Sequence, residues 1–280
     1  MKLSEFKKQK DYLICVDSDG CAMDTMDIKH FKCFGPCMVD EWELDEWRDE
    51  ILDRWNEINL YTITRGINRF KGLAKALSEI NEKYKKIDGI EALADWAETS
   101  PELSAGALRR AIEKAPDAIS LKKALSWSIA VNEAITKLPS DAKIPFPKVR
   151  EALEFAHGFA DIAIVSSANL DAVLEEWQEH GLLEHTDVVL SQNDGSKAFC
   201  IGELLKKGYD TKNIIMCGDA PGDLSAAETN KVFFFPILVR KEKESWEEFI
   251  AVTSQKLKDG SLAGEYQEQK KNEFLKNLGE

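Results

Sequence analysis

Short apolar runs bounded by charged residues occur near the start of the chain and again in its second half. They are rich in valine and isoleucine and lack polar alternation, which is typical of strands buried on both faces of a parallel sheet. The runs are LICV (13–16), IAIV (162–165), VVL (188–190), IIMC (214–217) and VFFFPILV (232–239). We therefore predict that these segments form a parallel sheet covered by helices.

The segments between the late runs show helical patterns. LDAVLEEWQEHGL begins at Leu170 and is predicted to end at Gly181, a glycine of the kind that commonly follows a helix C-cap. KAFCIGELLKKG begins at Lys197 and is predicted to end at Gly208. The alternation of strand and helix predicts an α/β fold with a doubly wound, Rossmann-like parallel sheet.

Residues 26–145 follow a different pattern, with many charges, helical periodicity and no convincing strand. Trp47, Ile51 and Trp55 recur four residues apart, which favours the buried stripe of a helix over an aromatic ligand site. We predict a helical domain of residues 26–145, inserted after the first strand. It interrupts an α/β core domain made of residues 1–25 and 146–280.

Two local signals subdivide the insert. Ser100 is predicted to be the N-cap of a helix, because Pro101 then occupies its first position and Glu102 its first turn. The segment LPSDAKIPFP (138–147) contains three prolines and no apolar run, so we predict that it connects the insert to the core.

The net charge of the chain limits the kinds of molecule that it is expected to bind. Its 50 acidic and 37 basic side chains give a formal net charge of −13, which argues against a nucleic-acid partner. An anionic substrate would have to be bound by a local cluster of cations or by a metal ion. The start of the chain, MKLSEFKKQKDY, has no apolar stretch of signal-peptide length, and no segment is long enough to cross a membrane. We expect a cytoplasmic protein with no membrane partner, either a monomer or a small homo-oligomer.

The six cysteines are scattered, which is consistent with a reducing compartment. Cys33 and Cys37 form a C-x3-C pair, but there is no second pair and His30 is the only histidine nearby. Unpaired thiols are therefore the favoured interpretation, and a zinc site is the alternative.

Polar side chains follow four of the predicted strands at the point where each strand ends. They are Asp17 and Asp19 after the first, Ser166 and Ser167 after the second, Lys197 after the third, and Asp219 and Asp223 after the fourth. The carboxyl ends of parallel strands meet at one edge of the sheet, where open α/β folds bind their ligands. Four carboxylates this close together would not all stay ionised without a cation. Oxygen ligands without histidine or thiolate suit Mg²⁺, so we predict that these four aspartates hold Mg²⁺.

This set of groups can perform phosphoryl transfer. A carboxylate beside Mg²⁺, with a lysine and a hydroxyl available for the phosphoryl oxygens, can attack phosphorus and form an aspartyl-phosphate. Each element by itself is compatible with a turn or a helix cap. Four such elements, in order and each at a strand end, favour the catalytic interpretation.

The same four segments resemble the motifs of the haloacid dehalogenase superfamily, whose members are mostly phosphatases. DSDGCAMDT (17–25) is similar to its first motif, D-x-D-G-x-x-x-D-[ST], and IAIVSSAN, SQNDGSKAFCIGELL and IIMCGDAPGDLSAA are similar to the next three. The resemblance implies that Asp17 is the nucleophile and Asp19 the general acid and base. It implies that Ser166 and Lys197 bind the phosphoryl group, and that Asp219 and Asp223 hold Mg²⁺ directly or through water. The helical insert resembles the cap of this superfamily, although it is longer and more acidic than a typical four-helix cap.

The leading functional hypothesis is a Mg²⁺-dependent phosphatase that acts on a small phosphorylated metabolite. A sugar phosphomutase of the same superfamily and a non-catalytic regulatory protein that has kept the fold are the alternatives. A dehalogenase is disfavoured because that branch lacks an acid at the position of Asp19, and the insert shows no signature of a phosphonate hydrolase.

A short basic segment of the insert, YTITRGINRFKG (61–72), contains Arg65 and Arg69. If the segment is helical, their spacing places both arginines on one face. A solvated face that pairs with nearby acids is the favoured interpretation, and substrate binding by Arg65 and Arg69 is the alternative that we carry forward.

Overall fold

The computed structural model describes residues 3–280, and the chain divides into two compact units. The α/β unit runs to Met26 and resumes from Ser140 to Glu280, whereas the helical unit spans Asp27–Pro139. The end of the predicted connector belongs to the α/β unit. It returns to the loop after the first strand, where the Asp24 amide donates to the Ile144 carbonyl (2.8 Å) and the Phe146 amide to the Ala22 carbonyl (2.9 Å).

The α/β unit contains a five-stranded parallel sheet, in the order β3-β2-β1-β4-β5. The strands are β1 (Tyr12–Val16), β2 (Ala160–Val165), β3 (Val188–Leu190), β4 (Ile214–Gly218) and β5 (Phe233–Pro236). Ile14 of the central strand is in register with Ile162 on one side and Ile215 on the other. The predicted α/β fold class is confirmed, and each apolar run contributes a strand.

The helices that follow β1 are those of the insert, and the α/β unit supplies the rest. The first group is α1 (Met26–Lys29), α2 (Gly35–Trp42), α3 (Arg48–Asn56), α4 (Arg69–Lys83), α5 (Ile90–Thr99), α6 (Ala105–Lys114) and α7 (Ile119–Thr136). The second group is α8 (Val149–His157), α9 (Leu170–Glu179), α10 (Lys197–Leu205), α11 (Pro221–Asn230), α12 (Glu242–Glu248), α13 (Ser254–Asp259) and α14 (Glu265–Asn277). Within residues 3–280, no helix combines the length and the apolar character needed to cross a membrane.

The helical unit has its own apolar core, which includes the buried tryptophans Trp42, Trp55 and Trp127. Ile51 and Trp55 of α3 are buried there, whereas Trp47 lies in the short 3-10 turn before α3 and is only partly buried against this core. The Trp55 ring meets that of Trp127 edge to face, with centroids 6.1 Å apart. The predicted buried stripe is therefore confirmed for Ile51 and Trp55, but not for Trp47.

The prediction that Ser100 is the N-cap of a helix is wrong. The Ser100 amide donates to the Trp96 carbonyl (3.0 Å) and thereby closes α5, so this residue ends one helix and does not begin the next. Ser104 is the N-cap of α6, because its hydroxyl accepts a hydrogen bond from the Ala107 amide (3.1 Å).

Of the two helix ends predicted after β2 and β3, the first is confirmed and the second is wrong. Gly181 follows the C-cap of α9 with φ +64°, as predicted. The next helix, α10, ends earlier than Gly208, at Leu205, because the chain leaves it through a turn in which the Gly208 amide donates to the Leu205 carbonyl (3.0 Å).

Candidate active site

The loop after β1 is folded around the carbonyl of Ser18. That oxygen accepts hydrogen bonds from the amides of Cys21, Ala22 and Met23 at 3.3, 3.0 and 2.8 Å. Gly20 supports the turn with φ +82°, a conformation that favours glycine. The loop places Asp17, which is 6% exposed, at the carboxyl end of the sheet beside the end of β4, where its amide donates to the Cys217 carbonyl (3.0 Å).

Asp19 lies two residues further along this loop and is partly exposed. Its Oδ1 accepts a hydrogen bond from the Thr25 hydroxyl at 2.6 Å, which orients the carboxyl group. Thr25 is not among the site residues predicted from the sequence. The signal was present in the sequence, since this threonine fills the final [ST] position of the first motif.

The two serines after β2 differ in environment. Ser166 is buried, and its amide donates to the Leu190 carbonyl (2.9 Å) while its hydroxyl accepts from the Ala168 amide (3.1 Å). Ser167 is exposed. Ser166 is therefore held in place by two backbone groups, whereas Ser167, the next residue, is accessible to solvent.

Lys197 is the first residue of α10 and bridges two of the predicted carboxylates. Its Nζ lies 2.7 Å from Asp17 Oδ2 and 2.6 Å from Asp223 Oδ1. An ammonium group has three N–H donors, so a third remains for a substrate oxygen after these two contacts.

The loop after β4 brings Asp219 and Asp223 to the same place. Asp223 lies in the first turn of α11, where its Oδ2 accepts from the Ala220 amide (3.1 Å). Gly218 makes room for it, because a Cβ at this position would lie 2.3 Å from the Asp223 Cβ and Cγ. A side chain at position 218 would therefore displace the carboxylate.

Asp17, Asp219 and Asp223 form a group that could hold a metal ion. Each offers one carboxylate oxygen, the three oxygens lie within 4.8 Å of one another, and all three residues are buried. Oxygen-only ligands of this kind suit Mg²⁺. Of the four predicted metal ligands, the structure thus brings three side chains together, whereas that of Asp19 is outside this group and bonds to Thr25.

The electrostatics of the group show an excess of negative charge. Burial raises the pKa of Asp17 well above its ordinary value, Lys197 opposes this shift, and Asp223 and Asp219 reinforce it. Burial would lower the pKa of Lys197, but Asp17 and Asp223 outweigh it, and the net effect is a raised pKa. Lys197 is therefore held as a cation, and its single charge does not balance three carboxylates. An additional cation would relieve the imbalance.

Arg65 and Arg69 do not share a helix face. The segment 61–72 is not one helix, so the condition for a shared face is not met: α4 begins only at Arg69, and Arg65 lies in the turn before it. Arg65 is 3% exposed and donates from Nη1 to the Leu60 carbonyl (2.7 Å), so it is not on a solvated face. Substrate binding by either arginine stays a prediction.

Arg69 is engaged mainly with neutral groups. Its Nη1 donates to Asn132 Oδ1 (2.8 Å) and Ser128 Oγ (3.2 Å) of α7, and its guanidinium lies 5.0 Å from the centroid of the Phe34 ring. Burial lowers the pKa of Arg69 from its ordinary value.

Cys33 and Cys37 are unpaired thiols within the helical unit. Cys33 is buried and Cys37 partly so, and burial raises the pKa of both. Neither belongs to the group of potential metal ligands found among residues 3–280.

Comparison with protein families gives one match. Residues 100–237 match the model of the haloacid dehalogenase-like hydrolases. The matched region includes Ser166, Lys197, Asp219 and Asp223, whereas Asp17 and Asp19 precede it, on the far side of most of the insert. A search of curated proteins finds no match to the chain.

Among the solved structures that are similar to this chain, the first one described here shows the same fold. A protein from Lactobacillus delbrueckii subsp. bulgaricus, provisionally named a phosphoglycolate phosphatase, is 14% identical with a TM-score of 0.51, covering 91% of this chain and 100% of that one. A haloacid dehalogenase-like family hydrolase from Streptococcus pneumoniae is 12% identical (TM-score 0.44, 80% and 82% covered). A protein from Thermotoga maritima, provisionally named a beta-phosphoglucomutase, is 14% identical (TM-score 0.46, 87% and 99% covered).

Proposed function

We propose that this chain, whose residues 100–237 match the haloacid dehalogenase-like hydrolases, is a Mg²⁺-dependent phosphatase that hydrolyses a small phosphorylated metabolite through an aspartyl-phosphate. The observation that carries this proposal is the arrangement around Lys197. Its ammonium lies within 2.7 Å of Asp17 and 2.6 Å of Asp223, and these two carboxylates and that of Asp219 form one buried group.

Asp17, Asp219 and Asp223 are the residues that would hold Mg²⁺. The donor set fits this ion, since it consists of carboxylate oxygens with a surplus of negative charge. When bound, Mg²⁺ would supply neutralising charge and polarise the phosphoryl oxygens.

The first chemical step is the attack of an Asp17 carboxylate oxygen on phosphorus. A bond forms between this oxygen and phosphorus, and the bond between phosphorus and the leaving oxygen breaks. Asp19 gives its proton to the leaving oxygen as the bond breaks, acting as general acid. Ser166 and the third donor of Lys197 bind the phosphoryl oxygens and keep the group in line with Asp17.

The second step releases phosphate. Asp19, now ionised, takes a proton from a water molecule whose oxygen attacks phosphorus, and the bond between phosphorus and Asp17 breaks. Asp17 returns to its carboxylate form and Asp19 to its protonated form. The hydrogen bond from Thr25 to Asp19 Oδ1 keeps the same carboxyl group in place for both proton transfers.

The test is a screen of phosphorylated metabolites, with detection of free phosphate. We expect release of phosphate that requires Mg²⁺, stops with excess chelator and is lost in Asp17→Asn. That variant should stay folded, because Asn has the same shape but its amide cannot form an acyl-phosphate. Isomerisation of a sugar phosphate without net release of phosphate would indicate a phosphomutase, and binding without turnover would indicate a regulatory protein. Either result would overturn the proposal.

A further inference from the structure

The loop after β1 is also held by hydrogen bonds from residues that do not belong to the carboxylate group. Ser18 lies between Asp17 and Asp19 and is 0% exposed. Its hydroxyl oxygen accepts a hydrogen bond from the indole Nε1 of Trp177 at 2.9 Å. The Ser18 amide donates to Asp17 Oδ1 (2.8 Å), so Ser18 also bonds directly to the proposed nucleophile.

Trp177 connects this loop to the segment that carries Ser166. It lies on α9, the helix that directly follows the loop after β2, and it is 0% exposed. Asn169 anchors the start of α9 by accepting hydrogen bonds from the amides of Asp171 and Ala172. One helix therefore leads from the proposed phosphoryl-binding hydroxyl to the residue beside the nucleophile.

A second buried tryptophan holds the other end of the same loop. The Trp246 Nε1, on α12, donates to the Cys21 carbonyl at 3.1 Å, and Trp246 is also 0% exposed. A phenylalanine at position 177 or 246 could make similar apolar contacts. A tryptophan adds a buried N–H donor, and in both cases this donor bonds to the loop of residues 18–21.

We infer that Trp177 is a positioning residue for the reaction, which sets the place of Asp17 and Asp19 relative to Ser166 through its hydrogen bond to Ser18. This inference rests on the proposed phosphatase function. Loss of the indole donor leaves the Ser18 hydroxyl without its partner from α9, so the loop can shift against the phosphoryl-binding segment. A misplacement of about 1 Å between reacting groups can cost on the order of a hundredfold in rate.

The experiment compares Trp177→Phe, Ser18→Ala and the double variant at saturating Mg²⁺, with kcat, KM and Tm measured for each. In both single variants kcat is expected to fall by about tenfold or more, with KM nearly unchanged, and Tm falls because one buried polar partner is left unpaired. In the double variant both polar partners are gone, so Tm recovers most of its loss. The anchor of the loop is still missing there, and kcat stays low.

A matched control is Trp127→Phe in the helical unit. Trp127 is 0% exposed and its Nε1 donates to the Phe34 carbonyl at 3.1 Å, so this variant loses the same kind of bond away from the loop. It is expected to lower Tm and leave kcat unchanged.

A second readout needs no turnover. Mg²⁺ should raise Tm, and the Mg²⁺ concentration for half of this rise should be about tenfold higher in Trp177→Phe than in the unaltered protein. This is the effect expected when a residue that orients a metal ligand, here Asp17, is lost. Recovery of kcat together with Tm in the double variant, or an unchanged kcat in Trp177→Phe, would show that the bond has only a structural role. Absence of turnover in the unaltered protein would instead contradict the proposed function, and the Mg²⁺ readout would then decide the inference alone.

Discussion

Gly218 determines where the carboxylate of Asp223 can lie. The side chain of Asp223 has two further restraints, Lys197 on one oxygen and the Ala220 amide on the other. A metal site needs ligand oxygens in fixed positions, so the absence of a side chain at position 218 is part of its construction. The resemblance to the fourth motif assigned roles to the aspartates of this segment, but not to the glycine before them.

Replacement of Gly218 by alanine should weaken Mg²⁺ binding, because the added Cβ would lie 2.4 Å from Asp223 Oδ2. We expect the Mg²⁺ concentration for half-maximal activity to rise by about tenfold or more. Gly222→Ala is the matched control in the same segment, since a Cβ there meets nothing within 4 Å. Equal Mg²⁺ requirements in both variants would show that Gly218 does not restrain the site.

Arg69 offers the clearest test of the substrate-binding prediction in the insert. Its guanidinium makes two hydrogen bonds to neutral side chains, both from Nη1, and has no carboxylate ion pair within the described part of the chain. If it binds an anionic group of the substrate, Arg69→Ala should raise KM for the natural substrate severalfold and hardly change KM for an aryl phosphate. Arg69→Lys should recover part of the loss. Equal effects on both substrates would assign Arg69 to the packing of the helical unit.

At the scale of elements, the strands of the sheet could be predicted from the sequence, but the covering of its edge strand β5 by α14 could not. The strands follow from apolar runs that have no polar alternation. The strand predicted over VFFFPILV was too long, because β5 comprises only Phe233–Pro236. Further along, the Val239 amide donates to the Asn277 side chain (2.9 Å) instead of a neighbouring strand. This partner is a side chain of α14, which no periodicity in the run itself could reveal.

Helix α14 covers the edge strand β5 with side-chain amides. Gln267 accepts from the Phe234 amide (3.2 Å) and donates to the Phe234 carbonyl (2.9 Å), as a paired strand would. The Phe274 and Phe234 rings meet edge to face, with centroids 5.1 Å apart. The edge is thereby closed to pairing with another chain.

Gln267→Ala should reduce the free energy of unfolding by about 1–3 kcal/mol, because it leaves two buried backbone groups of Phe234 without their partner. The residual activity of the folded protein should be unchanged. Gln269→Ala is the control, since Gln269 is exposed on the same helix. Chemical denaturation of the two variants measures the difference, and equal stabilities would show that α14 does not depend on this contact.

At the scale of the whole molecule, the sequence predicted which strand ends lie at the carboxyl edge of the sheet better than it predicted the contacts of the side chains there. Strand ends identify Asp17, Ser166, Lys197 and Asp223, because a parallel sheet brings them to one edge. The grouping of three carboxylates without the side chain of Asp19 depends on a long-range arrangement that spacing does not encode. The start of α4 differs, because Asn68 is its N-cap, and an asparagine at this position is a local signal that can be read from the sequence.

Mg²⁺ should stabilise the folded chain, because its three potential ligands come from two segments far apart in the sequence. Asp17 follows β1, whereas Asp219 and Asp223 follow β4. A ligand that binds only the folded state raises Tm as its concentration exceeds the dissociation constant. We expect a saturable rise in Tm with Mg²⁺ and a much smaller one in Asp223→Asn, which removes one negative ligand. A full-sized rise in this variant would place Mg²⁺ elsewhere on the chain.

The central claim is that Asp17 becomes phosphorylated, and Asp19→Asn provides the most direct test. Without its general base this variant should hydrolyse the intermediate slowly, whereas nitrophenyl phosphate can still transfer its phosphoryl group because nitrophenolate departs without a proton. Rapid mixing should give a burst of nitrophenol that matches the enzyme concentration. Mass spectrometry of the quenched protein should then place one phosphoryl group on the peptide that contains Asp17. Turnover with neither a burst nor a phosphorylated peptide, or a phosphoryl group on another residue, would contradict the account.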